Sequence, residues 1–99
     1  MPAIERPPMH LEATRGSPLV IELESAPGAG VVWLLPAAPE GCQLSEADSV
    51  PGDTGIGGPA RQRFVLTCTA PGRRQLRFEF KRPWETEVRA LQPVDVDVR

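Results

Sequence analysis

The stretch Leu76-Arg77-Phe78-Glu79-Phe80-Lys81 alternates an apolar residue with a charged one at every position. Side chains on a β-strand point to opposite faces in turn, so this pattern gives one apolar face and one solvated face. The same alternation recurs in Leu19–Glu24 and in Val94–Arg99. A helix would need apolar spacings of three and four residues, and proline interrupts most windows long enough to hold one. The pattern therefore predicts an all-β chain.

Turns rich in Gly and Pro divide the chain into about seven predicted strands. Strands of this number and length favour an immunoglobulin-like antiparallel β-sandwich over a closed barrel. The predicted strands are Met9–Ala13, Pro18–Glu24, Val31–Leu35, Cys42–Ala47, Arg61–Thr69, Arg73–Lys81 and Ala90–Arg99. The core between the two sheets is expected to contain Leu19, Ile21, Leu23, Trp33, Phe64, Leu66, Leu76, Phe78 and Phe80.

The length of 99 residues is enough for one domain with a modest core. We expect a loose N-terminal arm over residues 1–8 and a β-sandwich domain over residues 9–99. The net charge of −2 gives no general attraction to nucleic acid or to a membrane surface, and a monomer is expected. The first residues lack the basic-then-apolar order of a secretory signal. The expected location is therefore the cytoplasm, or the periplasm or exterior for a processed form.

Three stretches rich in Gly or Pro lie where the strand pattern stops. The first loop, residues 26–31, begins the run Ala26-Pro27-Gly28-Ala29-Gly30-Val31-Val32-Trp33. The second loop, residues 51–59, contains Gly55-Ile56-Gly57-Gly58, and the third loop, residues 82–89, begins Arg82-Pro83-Trp84. In a sandwich of this kind, the three loops emerge at one end. Stretches far apart in sequence are thus expected to lie side by side.

The order of these stretches resembles that of the chagasin family, small immunoglobulin-like inhibitors of papain-like cysteine peptidases. Its members carry an Asn-Pro-Thr-Thr-Gly-aromatic-x-Trp loop, then a Gly-x-Gly-Gly loop, then an Arg-Pro-Trp loop. The second and third motifs match in full. The first matches in part, because Ala26 replaces the Asn, Gly28 and Ala29 replace the two Thr, and Val31 replaces the aromatic residue. The resemblance runs from Met9 to Arg99.

The resemblance implies a reversible inhibitor whose three loops occlude the active-site cleft of a papain-like cysteine peptidase. No cofactor or metal is implied. The alternative is a non-inhibitory immunoglobulin-like module that binds another protein with the same loop end. The residues implied to bind the peptidase are Ala26, Pro27, Gly28, Ala29, Gly30, Val31, Gly55, Ile56, Gly57, Gly58, Arg82, Pro83 and Trp84.

The two tryptophans are expected to have opposite roles. Trp33 follows the first loop on a predicted strand, where immunoglobulin-like folds commonly bury a tryptophan. Trp84 lies in a loop with no strand face to bury it, and an exposed Trp beside Arg82 is a typical binding hot spot. Pro83 stiffens that loop and lowers the entropy lost on binding. The alternative for Trp84 is that it folds back over the end of the sandwich.

Residues that could perform catalysis or hold a metal are sparse. His10 is the only histidine and has no nucleophile near it in sequence. The second loop lacks the Lys-Ser/Thr of a phosphate loop, and the Cys and His residues do not show zinc-site spacing. We therefore expect no enzyme activity.

The sequence contains two cysteines, Cys42 and Cys68. Cys68 is in phase with Phe64 and Leu66, so we predict a buried free thiol, with a disulfide to Cys42 as the alternative.

A group of basic residues is expected to share the solvated outer face of one hairpin, with attraction to an acidic partner as the alternative. This group comprises Arg61, Arg63, Arg77 and Lys81.

Overall fold

A computed structural model describes residues 3–25, 30–50 and 60–99. Within these ranges the regular structure is all strand, as the alternation predicts. The strands are β1 (Ile4–Glu5), β2 (Met9–Ala13), β3 (Leu19–Ser25), β4 (Val32–Leu34), β5 (Cys42–Val50), β6 (Ala60–Cys68), β7 (Gly72–Lys81) and β8 (Ala90–Val98).

The strands form two sheets that enclose one core. The first sheet has the order β1-β8-β7-β4, with β2 also paired to β8, and the second has the order β3-β6-β5. Every predicted core residue is buried except Leu19 and Phe80, which are partly buried and pack against the core. The last strand, β8, adds Val94, Val96 and Val98. The prediction of an immunoglobulin-like β-sandwich is confirmed.

The pairing of the N-terminal segment differs from the predicted antiparallel arrangement. Both β1 and β2 run parallel to β8, with Ile4 opposite Ala90 and Met9 opposite Val94. Alternation specifies which face a side chain occupies but not the direction of the neighbouring strand. The remaining strand pairs are antiparallel.

The N-terminal arm, predicted to be loose, is ordered in part as β1. The Ile4 amide donates a hydrogen bond to the Arg89 carbonyl at 3.1 Å, and the Arg6 amide donates to the Leu91 carbonyl at 2.9 Å. These contacts use backbone groups, which the side-chain pattern of a two-residue strand does not reveal. Met1 and Pro2 lie outside the described residues.

The basic residues do not share one face, because β6 and β7 belong to different sheets. On the outer face of the second sheet, Arg61 and Arg63 form ion pairs with Glu22 at 3.6 and 3.3 Å. On the first sheet, Arg77 lies 3.7 Å from Glu5. These arginines therefore form ion pairs with acidic side chains of the same molecule. Such surface pairs support the interpretation that the basic residues lie on solvated faces.

Cys42 and Cys68 form a disulfide, so the prediction of a free thiol is wrong. The two residues are directly opposite each other on β5 and β6, with Cα atoms 4.0 Å apart. The alternation correctly places Cys68 inside, at 2% exposure. It could not reveal the register of β5 against β6, and that register brings the two sulfur atoms together.

We expect the disulfide to stabilise the fold by roughly 2–4 kcal/mol, the usual range for a loop of this length. The comparison is between wild type and the Cys42→Ala/Cys68→Ala double variant in urea unfolding without reductant. As a control, adding reductant should lower the midpoint of the wild type and leave the variant unchanged. Two titratable thiols in unreduced, denatured wild type would contradict the bond itself.

Candidate functional site

The strand ends that flank the first and second loops meet at one end of the second sheet. Ser25, which ends β3, is opposite Ala60, which begins β6. Val50, which ends β5, is opposite Arg61, the second residue of β6. At this end of the second sheet the chain leaves β3 through the first loop to reach β4 of the first sheet, and it passes from β5 to β6 through the second loop.

A side-chain contact joins that end to the first sheet. The indole Nε1 of Trp33 on β4 donates a hydrogen bond to the Glu24 carbonyl of β3 at 2.7 Å. On the next strand, Phe80 lies opposite Trp33, and their ring centroids are 4.7 Å apart. Trp33 is only 1% exposed, so its predicted structural role is confirmed. It fixes the two sheets together directly beneath the loops.

The third loop begins with a tight turn, residues 82–85. The Glu85 amide donates to the Arg82 carbonyl at 3.0 Å, and the two side chains form an ion pair at 3.1 Å. Pro83 occupies the second position of this turn, where its fixed φ is favourable. At the base of the loop, the Arg89 amide donates to the Phe80 carbonyl at 2.8 Å. Hydrogen bonds thus hold the third loop both at this turn and at its base.

Trp84 occupies the third position of this turn and is 73% exposed. The edge of its indole lies against Gly30 of the first loop, because a Cβ atom on Gly30 would be 3.0 Å from Trp84 Cη2. Most of the Trp84 side chain nevertheless stays in solvent. Its position next to Gly30 brings the first and third loops into contact, as the sandwich topology predicts.

The other predicted site residues are placed differently. Val31 is buried in the free protein, at 3% exposure, and its predicted contact with a partner stays a prediction. Alternation along the predicted strand Val31–Leu35 already places Val31 on the same face as the buried Trp33. Ala26, Pro27, Gly28 and Ala29 of the first loop, and Gly55, Ile56, Gly57 and Gly58 of the second, lie outside the described residues. Their role in binding stays a prediction.

Sequence reasoning missed Gln62, which is buried beneath the loops at 2% exposure. Its Oε1 accepts a hydrogen bond from the Trp33 amide at 2.6 Å, and its Nε2 donates to the Trp33 carbonyl at 3.1 Å. The same Nε2 also donates to Glu46 Oε1 at 3.0 Å. The side-chain amide therefore satisfies the two backbone groups that the edge strand β4 turns away from β7. The available signal was a polar residue in phase with Phe64 and Leu66 on a predicted strand.

We expect Gly30→Ala to displace Trp84 from its position against the first loop. Gly30 has a φ of +78°, so alanine costs about 1–2 kcal/mol of backbone strain. The new methyl group would also press on the Trp84 ring. The matched control is Gly16→Ala, since Gly16 has the same φ but no atom within 4 Å of an added Cβ. Urea unfolding should show similar losses for both variants, whereas the NMR signal of the Trp84 indole should shift only in Gly30→Ala.

Two classes of site find no support among residues 3–25, 30–50 and 60–99. No group of three or more His, Cys, Asp or Glu side chains there is arranged to hold a metal ion. No helix in those ranges is long and apolar enough to cross a membrane.

Comparisons with known proteins bear on this surface. The family model described as "Chagasin family peptidase inhibitor I42" matches residues 12–98. None of the curated proteins is significantly similar in sequence.

Three solved structures share the fold. Amebosin, solved in solution, has a TM-score of 0.70 and 20% identity, with all of both chains covered. The cysteine protease inhibitor EhICP2 from Entamoeba histolytica has a TM-score of 0.67 and 17% identity, again with full coverage. PbICP-C, solved in complex with falcipain-2, has a TM-score of 0.69 and 19% identity, covering 98% of this chain and 91% of that one. Because the family model matches nearly the whole domain, this chain belongs to the chagasin family of peptidase inhibitors.

Proposed function

We propose that the protein is a reversible, competitive inhibitor of papain-like cysteine peptidases that binds through its loop end. The family is one of peptidase inhibitors. Among proteins of similar fold, EhICP2 is a cysteine protease inhibitor and PbICP-C forms a complex with falcipain-2. An inhibitor needs no catalytic group of its own, because it only has to exclude substrate from the cleft.

The observation that carries the proposal is the exposed Trp84 on a turn that is already fixed. A large aromatic side chain can bury much surface in an interface while losing few rotatable bonds. The hydrogen bond and ion pair between Arg82 and Glu85 hold the turn in one conformation before binding. Such pre-organisation lowers the entropy cost of association. Trp84 thus has the properties of an interface anchor.

In this proposal the first loop occupies the cleft, flanked by Gly55–Gly58 on one side and the turn at residues 82–85 on the other. The glycines of the second loop allow close approach of another backbone. In the first loop, Gly28 and Ala29 offer no hydroxyl groups for hydrogen bonds in the cleft. A small apolar tip can still exclude substrate, because exclusion depends on shape.

The test is an inhibition titration of papain or a cathepsin-like enzyme with wild-type protein and with the Gly28→Thr/Ala29→Thr variant. We expect inhibition that competes with substrate and is reversed by dilution. The variant should inhibit more strongly, because it regains two hydrogen-bonding groups in the cleft. If both proteins are inert at micromolar concentration, the inhibitor proposal is wrong. The first loop's departure from the family motif would then favour the non-inhibitory binding module.

A further inference from the structure

An isoleucine on the N-terminal strand β1 is unusually exposed for its size. Among the described residues, the large hydrophobic side chains that are exposed belong to Ile4 (72%), Trp84 (73%) and Val20 (49%). A single exposed aliphatic residue is ordinary on a protein surface. The position of Ile4 and the way its backbone is held are what set it apart.

Polar contacts fix the segment around Ile4 without covering its side chain. Beyond the backbone hydrogen bonds of Ile4 and Arg6, the Pro7 carbonyl accepts a hydrogen bond from Gln92 Nε2 at 2.9 Å. The Arg6 guanidinium lies 5.8 Å from the centre of the Trp33 ring, a cation–π distance. Residues 4–7 are therefore attached to the sandwich while the Ile4 side chain stays in solvent.

Ile4 lies at the same end of the molecule as the loops. It is opposite Ala90, which is itself opposite Phe80 at the base of the third loop. The strand order places β1 two strand spacings from β7, about 10 Å. A standard interface covers about 800 Å² on each partner, a patch about 30 Å across. Ile4 thus falls within the area that a partner bound at Trp84 and Gly30 would cover.

We propose that Ile4 is a further contact for the peptidase, binding an apolar part of its surface beside the active-site cleft. This inference rests on the proposed inhibitory function. The surface around Ile4 is continuous with the third loop through the hydrogen bond from the Ile4 amide to the Arg89 carbonyl. Because the backbone of residues 4–7 is already held, burying this side chain would cost little conformational entropy.

The test compares the inhibition constants of Ile4→Asp and of the control Val20→Asp. Val20 is also an exposed aliphatic residue, but it lies near the start of β3, about 17 Å along the strand from the loop end. Ile4→Asp should raise the inhibition constant at least about tenfold, mainly through faster dissociation. Val20→Asp should stay within about twofold of wild type. A third variant, Ile4→Thr, keeps the β-branched shape and should show an intermediate loss.

The outcomes separate this inference from the proposed function. If wild type inhibits and Trp84→Ala weakens it, but Ile4→Asp and Ile4→Thr inhibit like wild type, the Ile4 contact is overturned and the inhibitory function stands. Equal losses in Ile4→Asp and Val20→Asp would also overturn it, because the effect would then be one of charge alone. A wild type that inhibits no papain-like peptidase would overturn both. Thermal midpoints near that of wild type would show that the variants remain folded.

Discussion

Replacing Trp33 with alanine is expected to destabilise the protein by about 3–5 kcal/mol, the range for emptying a buried aromatic site. The side chain is 1% exposed and packs at a tilt against Phe80, so the substitution leaves a cavity in the core. It also removes the indole N–H that satisfies the Glu24 carbonyl. A domain of this size has a total stability of only about 5–15 kcal/mol, so the loss is a large share of it.

Urea unfolding followed by far-UV circular dichroism measures this effect. Trp33→Phe is the graded variant, because it keeps an aromatic ring in the site but not the hydrogen bond to Glu24. Its loss should be clearly smaller than that of alanine. A Trp33→Ala protein with wild-type stability would show that the tryptophan does not hold the two sheets together.

Replacing Trp84 with alanine is expected to weaken inhibition of a papain-like peptidase by about 2 kcal/mol or more, roughly 30-fold. Trp84 is largely exposed in the free protein, so its removal costs little in folding, and the loss is expected in the proposed interface. The unfolding free energy should change by less than about 0.5 kcal/mol, as for most surface substitutions. Trp33→Ala should therefore mainly lower the unfolding free energy, whereas Trp84→Ala should mainly weaken inhibition.

The measurement is an inhibition constant from steady-state titration, with the unfolding free energy taken on the same preparation. Arg82→Lys is the accompanying variant, since it keeps the charge but loses the planar guanidinium of the ion pair with Glu85. It should weaken inhibition less than Trp84→Ala. If Trp84→Ala inhibits as strongly as wild type, Trp84 is not an anchor and the turn at residues 82–85 only frames the first loop.

The alternation of apolar and polar residues predicted most of the fold, because successive side chains point to opposite faces of a strand whichever strand it pairs with. Met9–Ala13 was predicted with the bounds that β2 has, and the apolar phase of Phe64 and Leu66 is the buried one. The exposure of Trp84 was also predictable, because the residues around it offer no strand face. These features depend on local sequence alone.

The features that the sequence did not predict depend on which strands become neighbours and in which register. The alternation of apolar and polar residues carries no information about either. Cys68 was placed inside, but its bond to Cys42 needed the register of β5 on β6. Gln62 was missed, although it is a polar residue at an inward position of a predicted strand, because its partner is a backbone on the other sheet. The pairing of Ile4 with β8 uses backbone groups, which every residue has.

The disulfide has a topological consequence for the second loop. It joins Cys42 to Cys68 across 26 positions of sequence, and residues 51–59 lie within the covalent ring that it closes. If a peptidase cut one peptide bond anywhere in that ring, the product would still be a single covalent molecule. The nicked strands would also remain paired along β5 and β6, for example at Leu44 and Leu66. Separating the two pieces would require reduction of the disulfide as well as cleavage.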